Sequence, residues 1–170
     1  MNFVNVPLPG MGNLQPATDS RGHGLLPITA AARRSFWNRV LTNTGGCWLW
    51  TGAVGSSGYG RITWTSEGES RTLSTHRFAL TLASGAELPS RLVAAHGCDN
   101  PLCVRVGGGH VHLSTQSDNL AHAVASGRHE GVTTVNDSRH RRNQSLALRS
   151  QHTGSTEPYN HNYADSRTLW

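Results

Sequence analysis

The tightest constraint on this chain is the stretch "VAAHGCDNPLCVRVGGGHVHLSTQSDN", Val93 to Asn119. It places three of the ten histidines and two of the three cysteines around a Gly triplet. Cys98 and Cys103 flank a tight "DNPL" turn, which lets both thiolates face one ion. Cys47 would arrive from a distant aromatic strand and tie it to this loop. With His110 they complete a Cys3His set, the ligand number and type of a closed tetrahedral zinc site. The alternative is that the cysteines are ordinary buried thiols and the histidines packed or surface residues. An odd number of cysteines suits metal ligation in a reducing compartment better than a disulfide framework.

Four zinc ligands leave His96 over. It closes the apolar strand "RLVAA", and an imidazole held at a strand end beside a rigid loop is suited to deprotonating a water near neutral pH. The alternatives are a further metal ligand or a packed histidine. Asn119 follows near the start of a helix and offers a hard amide oxygen for Mg2+, whose remaining shell is usually water or substrate phosphate. On its own, such an Asn reads as a helix cap.

The rest of the chain organises around this segment. Residues 1–27 are rich in Pro, Gly and Asn without apolar periodicity and read as a flexible N-terminal arm. "PITAAARRSFWNRVL" has helical spacing, with Thr29 as cap and Ile28, Ala32, Phe36 and Val40 on one face. "CWLWTG", "YGRITWT" and "RTLST" read as short antiparallel strands, with turns at Gly55–Gly58 and Glu67–Ser70. "THRFALTLASG" is helical, with Thr75 as cap and Gly85 as stop. "RLVAAH" and "HVHLST" are strands around the metal loop, and "SDNLAHAVASGR" is a helix capped by Ser117 and ended by Gly127. From Val132 to Trp170 the chain is polar and basic, with the cluster "SRHRR" and one weak apolar segment, "RNQSLALRS". It reads as a tail, disordered or ordered by a partner. The expected organisation is therefore an arm over 1–27, one domain over 28–131 and a tail over 132–170.

Charge bears on the partner. The net charge is +5, and every basic residue apart from His is Arg, since the chain contains no Lys. Arg forks match phosphate oxygens bidentately, so a polyanion is a compatible partner, although +5 also serves solubility alone. No run approaches the eighteen or so apolar residues of a membrane span, and the start lacks a basic then apolar signal. The expectation is a soluble chain, not secreted by a standard signal.

The succession "CWLWTGAVGSSGYGRI", "STHRFALTLASG", "LVAAHGCDNPLCV", "HVHLSTQSDNLAHAVASGR" resembles the HNH endonucleases common in bacteriophages, within the His-Me finger (ββα-metal) superfamily. It is also similar to the His-Cys box homing endonucleases. The resemblance covers about Phe36 to Arg128 and rests on several motifs in order. It implies an α+β fold: a small zinc-stapled ββα-metal core with an antiparallel β-sheet and flanking helices. By position it implies that His96 is the general base, Asn119 the residue holding a catalytic divalent ion such as Mg2+, and Cys47, Cys98, Cys103 and His110 the structural zinc ligands. Arg61 in "GYGRI" matches the strand arginine that contacts the scissile phosphate, and His76-Arg77 matches an "AHR" element in which His76 is not catalytic. Arg61, Arg71 and Arg77 are the candidate DNA contacts.

The chain departs from the family in two places. After Cys103 the family writes Asn-Pro where this chain writes "CVRVGGGH", two residues longer, with Arg105 in place of the Asn that braces the turn. Ala95, which has no functional side chain, precedes the base. The longer loop also leaves two candidates for the fourth zinc ligand: His112 keeps the family's His-Leu pair, whereas His110 keeps the spacing to Asn119.

What the resemblance implies is a DNA endonuclease of homing or phage type: His96 activates water, one divalent ion assists, and the ends are 5′-phosphate and 3′-hydroxyl. It would act in the cytoplasm of a bacterial host, or the nucleus if eukaryotic, nicking one strand or cutting both, the latter as a homodimer or by two successive nicks. Two other classes stand beside it: a zinc-stapled DNA-binding module without cleavage activity, and a purely structural or protein-interaction zinc domain.

Overall fold

The computed structural model of the chain describes residues 26–44, 46–127 and 135–153. Nearly all of the expected arm (1–27) and the ends of the expected tail (132–134 and 154–170) lie outside the described residues. In order come α1 (Ala30–Trp37), β1 (Val40–Thr44), β2 (Cys47–Trp50), β3 (Arg61–Ser66), β4 (Glu69–Ser74), α2 (Thr75–Ser84), β5 (Leu92–His96), β6 (Val111–Thr115), α3 (Gln116–Ala125) and α4 (Val135–Thr153).

The result is a small mixed α+β architecture, but its strands do not share one sheet. They form three two-stranded antiparallel pairs, β1–β2, β3–β4 and β5–β6. Isolated pairs of this size are marginal in water, so each must lean on something else. The first two do so through a common aromatic core. Phe36 stacks on Trp50 at 5.6 Å and contacts Phe78 at 5.1 Å, and Trp64 meets Phe78 edge-on at 5.3 Å. Burying such a side chain contributes about 2 kcal/mol or more. Residues along β3 alternate exposed and buried, so Ile62 and Trp64 enter this core while Arg61, Thr63 and Thr65 face out. A smaller cluster of Leu80, Leu88 and Val111 lies under the third pair.

Several local expectations hold. Thr29 caps α1, its Oγ1 accepting from the Ala32 amide at 3.1 Å, and Gly85 ends α2 in the left-handed region at φ 67°. Other boundaries differ for identifiable reasons. α1 stops at Trp37, and Val40, expected on its apolar face, opens β1 opposite Trp50. It still reaches the same core, because a buried Val fits a strand as well as a helix. The β3–β4 turn is tighter than expected, with Glu67 and Gly68 both at positive φ (53° and 81°), the geometry of a two-residue hairpin loop. Ser74 stands at the N-cap of α2 where Thr75 was expected. α3 is capped by Thr115, whose Oγ1 accepts from the Asp118 amide at 3.1 Å and donates to its carboxylate at 2.7 Å; Ser117 lies inside the helix.

The largest difference is over 135–153, where the polar tail is the helix α4. It docks through polar groups. Ser145 is buried with its hydroxyl donating to the Arg141 carbonyl, Arg149 Nη1 donates to the carbonyls of Thr51 and Gly52 at 3.0 and 2.8 Å, and Arg142 Nε donates to the Val54 carbonyl at 3.3 Å. Gly58, at φ 86°, allows the approach: a Cβ there would lie 2.9 Å from the Arg141 carbonyl oxygen.

Candidate metal centre and histidine cluster

The turn "CDNPLC" is organised by Asn100. Its side-chain oxygen accepts from the Leu102 amide at 3.0 Å and its carbonyl from the Cys103 amide at 3.0 Å, while Asp99 takes a positive φ of 56°. The far side of the turn then pairs with the free edge of β2. Trp50 donates to the Leu102 carbonyl at 2.9 Å and Val104 to the Trp48 carbonyl at 2.8 Å, setting Cys103 beside Leu49. That pairing carries Cys47 to the loop.

Beyond Cys103 the chain makes a short detour and returns. The Val111 amide donates to the Arg105 carbonyl at 2.8 Å, Gly107 donates to the Val111 carbonyl at 2.9 Å, and His110 to the Gly107 carbonyl at 2.9 Å. Gly107, Gly108 and Gly109 all hold positive φ (79°, 56° and 78°), which three successive residues with side chains would resist. The triplet thus makes a fixed left-handed turn. Gly97 lies against it, where a Cβ would overlap the Gly109 carbonyl oxygen. Arg105 braces the turn from outside, its Nη1 donating to the Gly46 carbonyl at 2.7 Å, next to Cys47. A guanidinium therefore ties this loop to the β1–β2 turn at the position where the resembling family writes Asn.

These constraints bring the ligand atoms of Cys47, Cys98, Cys103 and His110 within 4.8 Å of one another, a group that could hold a metal ion. His110 Nδ1 lies 3.7 Å from Cys47 Sγ and 3.6 Å from Cys103 Sγ. His112 stands apart: it is exposed, with its Nδ1 3.2 Å from the His110 carbonyl oxygen. Burial, and then the neighbouring Cys98 thiol, raise the Cys47 pKa; burial raises that of Cys103 well above the usual thiol range. Burial, and then the Arg105 charge, lower that of His110. Burial therefore favours the neutral thiols of Cys47 and Cys103 and the neutral imidazole of His110, and a bound divalent ion would reverse the preference at sulfur.

His96 sits one step from this group. Its Nε2 is 3.0 Å from the carbonyl oxygen of Cys103. A carbonyl only accepts, so Nε2 carries a proton, and in the neutral form of the ring Nδ1 holds the lone pair. The ring stacks on Tyr59 (5.8 Å, 10°) and packs against His76 at 4.6 Å. Tyr59 and His76 are themselves 5.0 Å apart, closing a triangle of three rings. Tyr59 does not stand out in the sequence, because it reads only as the first residue of the strand "YGRITWT". Its signal is the glycine on either side: Gly58 admits α4, and a Cβ on Gly60 would overlap Thr75 Oγ1 and approach Trp50 Cδ1 to 2.6 Å. His76 is buried, and its pKa is lowered to about 3, first by burial and then by His96, Arg77 and Arg61. It is a neutral ring inside the cluster.

Of the other expected site residues, Asn119 is half-buried in the first turns of α3, which packs on β5 and β6, the hairpin that carries His96. Arg61 is exposed at the start of β3, opposite Ser74. The structure does not bring Arg71 and Arg77 to its side. Arg71 pairs with Trp64 on the opposite face of the hairpin and lies 3.9 Å from Glu87. Arg77 commits its guanidinium to the carbonyls of Leu92, Leu88 and Pro89 at 2.8, 2.7 and 3.2 Å, clamping the approach to β5.

The chain has recognisable relatives. It is 30% identical over 100 residues to Protein 2.8 of Escherichia phage T7, covering 58% of this chain and 65% of that protein. It is 37% identical over 82 residues to Protein 7.7 of the same phage, covering 48% and 58% respectively. The chain thus spans less than two thirds of the length of either relative, and neither name states an activity. No family model and no solved structure matches the chain. Among the described residues, no helix is long and apolar enough to cross a membrane.

Proposed function

We propose that this chain is a phage-type HNH endonuclease of the His-Me finger (ββα-metal) class, hydrolysing DNA phosphodiester bonds with His96 as general base. The observation that carries this reading is the His96 Nε2 to Cys103 carbonyl bond. It fixes the tautomer a general base needs, and it anchors the base to a residue of the candidate metal group. The order hairpin then helix, with His96 on β5 and Asn119 on α3, supports the same reading.

The metal of the Cys3His group is, on this proposal, zinc in a structural role. For tetrahedral zinc with bonds near 2.3 Å to sulfur and 2.05 Å to nitrogen, the sulfur-to-nitrogen edge is about 3.6 Å. The Cys103 and Cys47 edges to His110 Nδ1 are 3.6 and 3.7 Å. Four protein ligands close such a site, so its work is to hold β2, the Cys98–Cys103 turn and the start of β6 together.

In the reaction His96 Nδ1 takes a proton from the attacking water, while Tyr59 and His76 keep the imidazole plane fixed. Arg61 faces the phosphate and stabilises the charge that accumulates on its oxygens. Asn119 offers its amide oxygen to a divalent ion such as Mg2+, which when bound with substrate phosphate supplies charge stabilisation at the leaving 3′ oxygen. The outer face of β3–β4 suits a duplex beside Arg61: its cross-strand pairs are Thr63 with Thr72 and Thr65 with Ser70, hydroxyls at 2.7 and 2.8 Å.

The test is cleavage of plasmid DNA by the purified chain with Mg2+, with and without chelator. Loss of a general base costs about a hundredfold or more, so His96→Ala should fall at least that far with zinc content unchanged. A His96→Ala variant that cuts like the parent removes the base assignment. A parent that binds DNA and cuts neither duplex nor single strand leaves the zinc-stapled binding module in its place.

A further inference from the structure

Of the three arginines expected to meet DNA, Arg77 commits its guanidinium to three carbonyls, and Arg71 lies half-buried beside Glu87 on the face of the hairpin away from Arg61. A single exposed Arg61 is a weak grip on a polyanion, because affinity for duplex DNA grows with the number of phosphates neutralised. Basic groups elsewhere must supply the rest if the nuclease reading, on which this inference rests, is correct.

α4 carries four arginines against one aspartate. Its inner face, Ser138, Arg141, Ser145 and Arg149, is half-buried or buried: Arg149 docks on the Thr51 and Gly52 carbonyls, Arg141 and Ser145 lie against Gly58, and the Arg141–Ser138 and Ser145–Arg141 bonds stay within the helix. Arg139 and Arg142 lie elsewhere on the helix surface and are exposed. Three residues apart, they are neighbours along the helix. Docking fixes where they lie. Arg142 Nε donates to the Val54 carbonyl, Val54 bridges to Gly60, and the Arg61 amide donates to the Ala53 carbonyl at 2.8 Å. A Cβ on Gly55 would touch the Arg61 stem, 3.2 Å from its Cγ. Arg61 and Arg142 thus flank the same short segment, Ala53 to Gly55, and Arg139 continues the line by one turn.

We infer that α4 is a second DNA-backbone contact: Arg142 and Arg139 take phosphates flanking the one that Arg61 faces, on a helix held rigidly to the loop between β2 and β3. Arg forks make such contacts without reading bases, so the contribution is to affinity and placement of the duplex.

The measurement is the salt dependence of duplex binding by the full chain, with no divalent cation added, so that cleavage plays no part. Each lost phosphate contact lowers the slope of log K against log salt by about 0.9. Arg139→Gln, which breaks no docking bond described above, should lower the slope by about 0.9, and Arg139→Gln with Arg142→Gln by about 1.8. Arg34→Gln, an equal loss of charge at an exposed position of α1, should leave the slope at the parent value. Unchanged slopes in both α4 variants, or an equal fall in Arg34→Gln, overturn the inference. Plasmid cutting is scored separately. A chain that binds with these slopes and does not cut retains the α4 contact and loses the nuclease reading; a chain that cuts with unchanged slopes does the reverse.

Discussion

His76 shows how one residue ties stability to pH. The ring is neutral in the fold, its pKa lowered from 6.5 to about 3, whereas in the unfolded chain it titrates near 6.5. Between those values the unfolded state binds a proton that the folded state refuses. Its contribution is therefore fully present above 6.5 and is lost as pH falls toward 3. A tenfold change in proton affinity corresponds to about 1.4 kcal/mol, so the effect amounts to several kcal/mol at full extent. Urea midpoints measured from pH 7 to pH 4 should fall more steeply for the parent than for His76→Gln, which has no proton to gain. The fourth-ligand choice is also a residue-scale matter. His110→Ala should lower zinc affinity by at least an order of magnitude and His112→Ala should leave zinc content at one per chain, read by elemental analysis. The sequence holds both candidates open because they sit two apart on one strand. What separates them is the return of Val111 onto Arg105 and Val106, a loop closure that no local pattern announces.

At the scale of elements, the docking of α4 on Gly58 is open to a direct test. Gly58→Ala adds a Cβ at φ 86° and 2.9 Å from the Arg141 carbonyl oxygen. It should cost about 1 kcal/mol or more and raise amide exchange along α4 while β5 and β6 stay protected. The strands β2 to β6, α2 and its stop at Gly85 are legible in the sequence because alternation and turn residues agree there, whereas β1 is hidden behind the helical spacing that runs to Val40. β3 is the clearest case, with Ile62 and Trp64 in and Arg61 and Thr63 out. α4 is not legible, and the reason is chemical: its buried face is Ser138, Arg141, Ser145 and Arg149, which hydropathy patterning counts as solvent-exposed. The helix is held by side-chain donors reaching backbone carbonyls, and only the fold shows that those carbonyls are available. The three candidate thiol ligands, by contrast, can be named from the sequence, since the Cys98 and Cys103 turn and the distant Cys47 leave few other uses for three thiols in a chain of this size, and only the fourth ligand needs the fold.

For the whole molecule, the Cys3His group gathers β2, the Cys98–Cys103 turn and the start of β6 at one point. β2 also meets the loop through two backbone bonds and the Leu49–Cys103 bridge, and β6 meets it through the return of Val111 onto Arg105 and Val106. If the group holds zinc, the ion's binding energy is largely folding energy, on the order of 10 kcal/mol in small zinc domains. A strong chelator should therefore broaden or abolish the thermal unfolding transition seen by circular dichroism, and Cys103→Ser should do so without chelator. A sharp transition at unchanged temperature in either case would mean that the aromatic core alone holds the fold.

Because the three strand pairs are separate, a change of length in one does not shift the register of another. The β3–β4 tip at Glu67 and Gly68 is the freest place for such a change: nothing lies within 4 Å of where a Gly68 side chain would begin. Lengthening that ribbon would extend its reach along whatever lies beneath it, by roughly 3.4 Å for each residue added per strand. The histidine cluster would stay untouched. Related chains can therefore diverge in hairpin length while keeping the same histidine cluster.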